Sequence, residues 1–112
     1  MIPEANRLTK QRDFKKIAQS GKKAYCPNFT LKFIRTNLEN SRLAIVVSLK
    51  VAKKAVVRNK IKRQLREIIK TALPVIKRGY DILLIVKPQA KNLSYAELKE
   101  NFNFLFKKAG LC

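Results

Sequence analysis

The 112-residue sequence has no histidine and no tryptophan, and it contains only two cysteines, three glycines and seven acidic residues. Without histidine, it lacks the side chain that most often serves as a general acid or base near neutral pH. Its two cysteines, Cys26 and Cys112, cannot complete a structural zinc site, which needs four nitrogen or sulfur ligands. Two cysteines also exclude a disulfide framework and favour a reducing compartment, so we expect the protein in the cytoplasm.

Longer patterns are missing as well. No apolar run approaches the roughly 18 residues of a membrane-spanning helix, and the first ten residues lack the apolar core of a signal peptide. The glycines, at positions 21, 79 and 110, form neither a P-loop nor a GxGxxG motif. No two acids lie within two residues of one another, so local sequence offers no sign of a carboxylate pair. We therefore expect no membrane segment, no catalytic residue and no metal site in the chain.

Positive charge is the abundant feature. Twenty-six lysines and arginines oppose seven acids, for a formal net charge of +19. Such an excess repels itself in a compact chain unless a polyanion neutralises it. Nucleic acid fits this requirement because neutralised phosphates release condensed counterions, and an anionic membrane surface is the alternative polyanion. Because 46% of the residues are hydrophobic, we expect a folded domain rather than a basic tail, and the length suits a single domain over residues 1–112.

Hydrophobic spacing predicts three helices and three or four strands. The helices are predicted at 7–18, at 56–73 and from residue 94 onward. The strands are predicted at 29–34, 42–49 and 80–86, with a further brief strand at 22–25. Thr9 is the expected N-cap of the first helix, and Ser94 with Glu97 forms a capping box for the third. The nearly continuous apolar run at 42–49 predicts a strand that is covered on both faces. A long helix between two continuous apolar strands favours a parallel crossover, so we expect an α/β sandwich with helices on one or both sheet faces.

The predicted second helix has two opposite faces. An apolar stripe from Val57 to Ala72 turns one face to the sheet. On the other face Arg58, Lys62 and Arg66 recur every four residues, and Asn59 with Arg63 forms the neighbouring row. Forked arginine donors at fixed spacing suit phosphates and base edges. The pattern therefore predicts a rigid basic ridge that binds nucleic acid.

The start of this helix carries further lysines. Lys53 and Lys54 precede it directly, at the end where cations oppose the helix dipole and fail to stabilise the helix. Free backbone N–H groups at the same end, together with these cations, favour phosphate binding. The placement therefore indicates function rather than stability.

At this segment the sequence resembles a known family. Residues 57–63, VRNKIKR, followed by Leu65-Arg66-Glu67, resemble the RNR signature of the protein subunit of bacterial ribonuclease P. The similarity extends to an RL…DF pattern at residues 7–14, to the strand RLAIVVS at 42–48, and to YDILLIV at 80–86 with the Lys-Pro that follows. About 100 of the 112 residues take part in the resemblance.

The resemblance implies an αβββαβα fold, an α+β two-layer sandwich like domain 2 of ribosomal protein S5. It also implies a left-handed βαβ crossover, against the general right-handed rule. The activity implied is removal of the 5′ leader from precursor tRNA by hydrolysis of one phosphodiester bond. Catalysis and Mg²⁺ binding then belong mainly to an RNA subunit. The implied partners are that RNA and the precursor tRNA leader, and neither DNA nor a membrane is expected.

Two groups of site residues follow from the resemblance. The first binds the RNA subunit and consists of Lys53, Lys54, Arg58, Asn59, Lys60, Lys62, Arg63 and Arg66. The second lies in a separate cleft between the first helix and the open sheet face, binds the leader, and consists of Arg12, Phe14, Lys15 and Lys32. Phe14 is the expected stacking platform, since aromatic stacking tolerates any base.

Three residues depart from the family pattern. Lys60 replaces the second arginine of the RNR signature, which keeps the charge but loses the forked donor geometry. Ala18 and Lys32 stand where aromatics are common in the family, and this difference affects the details of leader stacking.

The alternative function is a basic ribosomal protein with a structural role on ribosomal RNA. A nuclease that acts without RNA is disfavoured, because the chain is poor in acids and has no histidine.

Overall fold

The structure, a computed structural model, describes residues 2–112 apart from the side chain of Ser20. Three helices and four strands follow one another in the order αβββαβα, as the resemblance implies. They are α1 (Gln11–Ser20), β1 (Lys22–Tyr25), β2 (Phe29–Arg35), β3 (Arg42–Val46), α2 (Ala55–Ala72), β4 (Tyr80–Val86) and α3 (Tyr95–Lys108). Short 3-10 turns occupy Glu4–Asn6, Leu73–Val75 and Pro88–Ala90. No helix in this part of the chain is long and apolar enough to cross a membrane.

The four strands form one mixed sheet in the order β1-β2-β4-β3. The pairs β1–β2 and β2–β4 are antiparallel, whereas β3 and β4 are parallel and joined by α2. The predicted parallel crossover around the long helix is therefore confirmed. The hand of that crossover stays a prediction from the resemblance.

Helices lie on both faces of the sheet. The larger core joins α2 and α3 to one face, with Phe29, Leu84 and Phe102 fully buried in it. The smaller core lies under α1 on the other face, where Ile17 and Leu8 pack against Leu83 of β4. The sheet with α2 and α3 thus forms two main layers, and α1 covers part of the remaining face.

The second and third helices match the sequence prediction closely. The buried residues of α2 are Ile61, Leu65, Ile68, Ile69 and Ala72, which continue the predicted stripe. The capping box of α3 is present: the Glu97 N–H donates to Ser94 Oγ at 3.2 Å, and the Ser94 N–H donates to Glu97 Oε1 at 3.0 Å. Local periodicity and capping were sufficient to predict both elements.

The first helix begins later than predicted, and Thr9 is not its N-cap. The N-cap residue is Lys10, whose side chain makes no capping bond, and α1 starts at Gln11. The reason is competition from the sheet edge: the Leu8 N–H donates to the carbonyl oxygen of Leu43 at 3.0 Å. A backbone paired with β3 in this way is extended and cannot also form a helical turn.

The third strand is shorter and more exposed than predicted. The prediction ran to residue 49 with both faces covered, but β3 ends at Val46 and is an edge strand. Ala44, Ile45 and Val46 are only partly buried. After Val47 the chain turns, and the Val51 N–H donates to the Ser48 carbonyl oxygen at 3.1 Å. An apolar run marks burial, but it does not reveal where along it the chain leaves the sheet.

Candidate nucleic-acid interface

The basic face of α2 points away from the core, as predicted. Because Ile61, Leu65 and Ile68 are buried against the sheet and α3, the residues between them face solvent. Six predicted site residues are exposed, namely Lys53, Lys54, Asn59, Lys60, Arg63 and Arg66, whereas Arg58 and Lys62 are partly buried. The helix therefore presents a row of cations that requires no rearrangement to meet a polyanion.

The amino end of α2 is uncapped by side chains. Its N-cap residue, Lys54, makes no capping bond, and the first turn contains no acid. The end therefore combines the positive pole of the helix dipole with the lysines that precede it. Such an arrangement attracts phosphate groups, because no acid in the first turn of the helix neutralises it.

Arg58 is less free than its place in the pattern suggests. Its Nη1 donates to the carbonyl oxygens of Ala52 and Lys53, at 2.9 and 2.7 Å. The side chain therefore folds back and secures the loop in front of α2, where Val51 and Ala52 are buried. These bonds give Arg58 a structural role in addition to its place in the basic surface.

A cavity of about 580 Å³ opens beside this loop. Four lysines line it, and no acid does: Lys50, Lys53, Lys54 and Lys91. Lys91 lies in the connection between β4 and α3, held by the Lys91 N–H bond to the Pro88 carbonyl oxygen at 3.2 Å. The sequence offered no signal for Lys91, because about 40 residues separate it from the other three.

The two predicted binding regions meet at a second cavity, of about 470 Å³, next to the edge strand β3. Phe14 of α1 lines it together with Lys62 and Arg66 of α2. These side chains come from opposite faces of the sheet, and they converge because β3 is the last strand and both helices overhang it. Arg7, which belongs to the RL…DF pattern, also lines this cavity.

Of the four predicted leader residues, only Phe14 lines this cavity. Phe14 is partly buried and packs in the small core with Leu83. Arg12 and Lys15, its neighbours on α1, are exposed. Lys32 is partly buried on β2, directly across from Lys23 of β1 on one side and Leu83 of β4 on the other. Three of the four residues thus lie on α1 and the fourth on a strand of the sheet, and they do not line one common cavity.

Folding also assembles a carboxylate pair that local sequence did not reveal. Arg42 of β3 donates to Asp81 of β4 from Nε and Nη2, at 2.8 and 2.6 Å, and the same Nη2 lies 3.4 Å from Asp13 Oδ2 on α1. The hydrogen bonds to Asp81, with the nearby negative charges, raise the pKa of Arg42. The guanidinium therefore stays charged and neutralises both carboxylates.

The acids and the two cysteines are the side chains of this sequence that could ligate a metal ion. In residues 2–112, no group of three or more acids, cysteines or histidines comes together as metal ligands would. In this part of the chain, Asp13 and Asp81 are the only two carboxylates that share an ion-pair partner, which is Arg42. Both free cysteines are distant from this pair in sequence, with Cys26 buried and Cys112 exposed.

Comparison with known proteins finds relatives along nearly the whole chain. The model of the family described as Ribonuclease P matches residues 2–110. The ribonuclease P protein component of Dictyoglomus turgidum is 40% identical over 112 residues, covering 98% of this chain and 93% of that one. The corresponding protein of Synechocystis is 37% identical over 111 residues, covering 98% and 90%.

Solved structures show the same fold. The RNase P protein of Staphylococcus aureus matches with a TM-score of 0.89 and 30% identity, covering 96% of this chain and 98% of that one. The RNase P protein of Thermotoga maritima matches with a TM-score of 0.81 and 34% identity, covering 90% and 96%. With its uncapped basic helix, its αβββαβα order and these relatives along nearly its whole length, the chain belongs to the ribonuclease P protein family.

Proposed function

We propose that this RNA-binding subunit of ribonuclease P contributes no catalytic group and acts by holding RNA in place. The exposed cations of α2 and of the loop before it bind the RNA subunit. Their backbone is rigid, because the buried side of α2 fixes the helix and Arg58 fixes the loop. A preformed array loses little conformational entropy on binding, so the charges contribute fully to affinity.

The precursor tRNA leader is proposed to lie along α1. Phe14 offers a partly exposed ring for stacking, and Arg12, Lys15 and Lys32 supply cations around the same helix. One aromatic–base stack is worth roughly 1–3 kcal/mol and accepts any base, as leaders of varied sequence require. Because Phe14 also lines a cavity with Lys62 and Arg66, the leader and the RNA subunit meet at one place on the protein.

Magnesium is proposed to be held mainly by the RNA subunit. The chemistry it supplies there is stabilisation of the negative charge that develops as the phosphodiester bond is hydrolysed. Asp13 and Asp81 already pair with Arg42 and fit a structural role better than a metal site. The cytoplasm is the proposed compartment, since both cysteines are unpaired.

The observation that carries the proposal is a group of eight polar or basic site residues, six on α2 and two just before it, while the opposite side of the helix is an apolar stripe. The test is reconstitution with the ribonuclease P RNA of the same organism. Precursor tRNA with a 5′ leader is incubated with RNA alone, protein alone and both, at low millimolar magnesium. We expect cleavage at the leader junction to need the RNA and to increase strongly with the protein.

Two results would contradict the proposal. Cleavage by the purified protein without RNA would place catalytic groups in this chain. Binding of the RNA subunit that is unchanged in a variant with Lys60, Arg63 and Arg66 replaced by alanine would remove the α2 face as the interface. A variant with three exposed lysines of α3 replaced, Lys99, Lys107 and Lys108, is the charge-matched control for the second result.

A further inference from the structure

Arg42 connects three separate elements of the fold through one guanidinium group. It lies on β3 directly opposite Asp81 of β4, and its Nε and Nη2 donate to the two carboxylate oxygens of Asp81. The same Nη2 lies 3.4 Å from Asp13 Oδ2, so one nitrogen touches a carboxylate of the sheet and one of α1. Side-on pairing with Asp81 leaves Arg42 little rotational freedom.

The surroundings make this contact stronger than an ordinary surface pair. The side chain of Asp81 is 5% exposed, and those of Arg42 and Asp13 are 21% and 17% exposed. Asp13 Oδ2 is fully buried and has no hydrogen-bond partner in the described part of the chain. The positive charge of Arg42 therefore offsets the cost of burying this carboxylate oxygen. The position of Arg42 is fixed further by Ser41, whose hydroxyl accepts from the Tyr80 N–H at 3.1 Å.

The first helix has few other anchors. It is ten residues long, its N-cap side chain makes no capping bond, and helices of this length are marginal in water without tertiary contacts. Ile17 is its one fully buried side chain among those described, and Phe14 is only partly buried. Within residues 2–112, the pair Asp13–Arg42 is the only ion pair that joins α1 to the sheet.

We propose that Asp13 is a positioning residue for the precursor tRNA leader, acting through Arg42. By tying the first turn of α1 to the sheet, it sets the place of Phe14, the next residue, and thereby the shape of the cavity that Phe14 shares with Lys62 and Arg66. Asp13 itself makes no contact with RNA, since an acid facing phosphate would be repelled. The inference rests on the proposed leader function of α1.

Two effects of removing Asp13 would change RNA binding in opposite directions. Removing an acid from a protein of net charge +19 should strengthen nonspecific binding of RNA. If Asp13 positions α1, its removal should instead weaken binding of the leader. The direction of the change therefore separates positioning from bulk electrostatics.

The test compares Asp13→Ala with Glu100→Ala, which removes one exposed acid from α3 and changes the net charge equally. Each variant is assembled with the RNA subunit, and affinities are measured for precursor tRNA with an eight-nucleotide leader and for mature tRNA. We expect Asp13→Ala to lose about threefold to tenfold in affinity for precursor tRNA, the range of a partly buried ion pair. Mature tRNA, RNA-subunit binding and all values for Glu100→Ala should stay within twofold of the parent.

Hydrogen exchange gives a second readout. Amides of α1 should exchange faster in Asp13→Ala, whereas those of α2 and α3 should be unchanged, because only the anchor of α1 is lost. If Asp13→Ala does not fold by circular dichroism, Asp13→Asn, which keeps the shape and loses the charge, replaces it in the same measurements.

Distinct outcomes separate this inference from the proposed function. The role of Asp13 would be overturned if Asp13→Ala lost equal affinity for precursor and mature tRNA, or if it favoured precursor over mature tRNA as strongly as the parent protein does. If the parent holoenzyme itself binds precursor and mature tRNA equally well, the proposed leader site is wrong. Faster exchange throughout α2 and α3 would show that Asp13 supports the whole fold, and that result also overturns a specific positioning role.

Discussion

Arg58 Nη1 donates to the carbonyl oxygen of Ala52 at 2.9 Å, which ties the first turn of α2 to the loop that precedes it. A second bond from the same nitrogen reaches the Lys53 carbonyl oxygen at 2.7 Å. A residue at the centre of the basic signature thus has two tasks, since it stabilises the loop and contributes charge to the RNA-binding surface. This dual role separates Arg58 from Arg63, which is exposed and makes no bond of this kind.

Replacing Arg58 with alanine should therefore affect folding as well as assembly. We expect a loss of about 1–2 kcal/mol in the free energy of unfolding, because hydrogen bonds from a charged donor to two carbonyl oxygens are removed at a partly exposed site. Arg63→Ala should change stability by less than about 0.5 kcal/mol. Urea denaturation in sulfate buffer measures both, and equal stabilities for the two variants would show that the Arg58 bonds contribute nothing.

Phe14 should contribute both to packing and to leader recognition. Phe14→Ala opens the small core and is expected to cost about 2 kcal/mol of stability, less than for a fully buried ring. Phe14→Leu keeps apolar contact with Leu83 but removes the flat ring. We expect Phe14→Leu to keep most of the stability and to lose roughly tenfold in affinity for precursor tRNA over mature tRNA. Unchanged affinity in this variant would mean that Phe14 is a core residue only.

Binding of the RNA subunit should weaken steeply with salt. The logarithm of the association constant is expected to fall by about 0.9 per phosphate neutralised in duplex regions for each unit of log salt concentration. Arg63→Ala should reduce this slope by about 1. Lys99→Ala, which removes one exposed charge from α3, is the control and should leave the slope unchanged. Equal slopes for the parent and Arg63→Ala would remove Arg63 from the interface.

The capping box of α3 should make stability depend on acid pH. Hydrogen bonds from the backbone and side chain of Ser94 lower the pKa of Glu97 from its ordinary value of 4.5. A carboxyl group whose pKa is lower in the folded state stabilises the protein above the ordinary value, and this contribution disappears as pH falls through the lowered one. The stability difference between the parent and Glu97→Ala should therefore be present at pH 6 and shrink below pH 4.5. A constant difference down to pH 2 would exclude this ionisation as its source.

Much of the fold could be predicted from local pattern. The strand at Tyr80–Val86 was predicted with its observed bounds, and α2 was predicted within one residue at each end. The spacing of Ser94 and Glu97 predicts the capping box that α3 has. Each of these depends on residues a few positions apart, so spacing and side-chain type are sufficient information. The outward direction of the α2 cations follows from the same stripe.

Features that depend on distant partners could not be read in this way. The start of α1 depends on the bond from Leu8 to Leu43, and the short β3 reflects its place at the edge of the sheet. Lys91 lines a cavity with the lysines that precede α2 only because the turn after β4 lies next to them in the fold. Local hydrophobic spacing does not predict such long-range contacts, because they depend on the order of the strands in the sheet.

The sequence by itself determined that this protein is basic and folded, with one helix divided into an apolar and a cationic side, because composition sets the net charge and local spacing sets the helical period. Its resemblance to the ribonuclease P protein family then indicated RNA as the polyanion. Tertiary structure alone decided that Asp13, Arg42 and Asp81 share one guanidinium and that Phe14 meets Lys62 and Arg66 in one cavity. These residues lie far apart along the chain, and only the packing of helices against a particular strand order brings their side chains within contact distance.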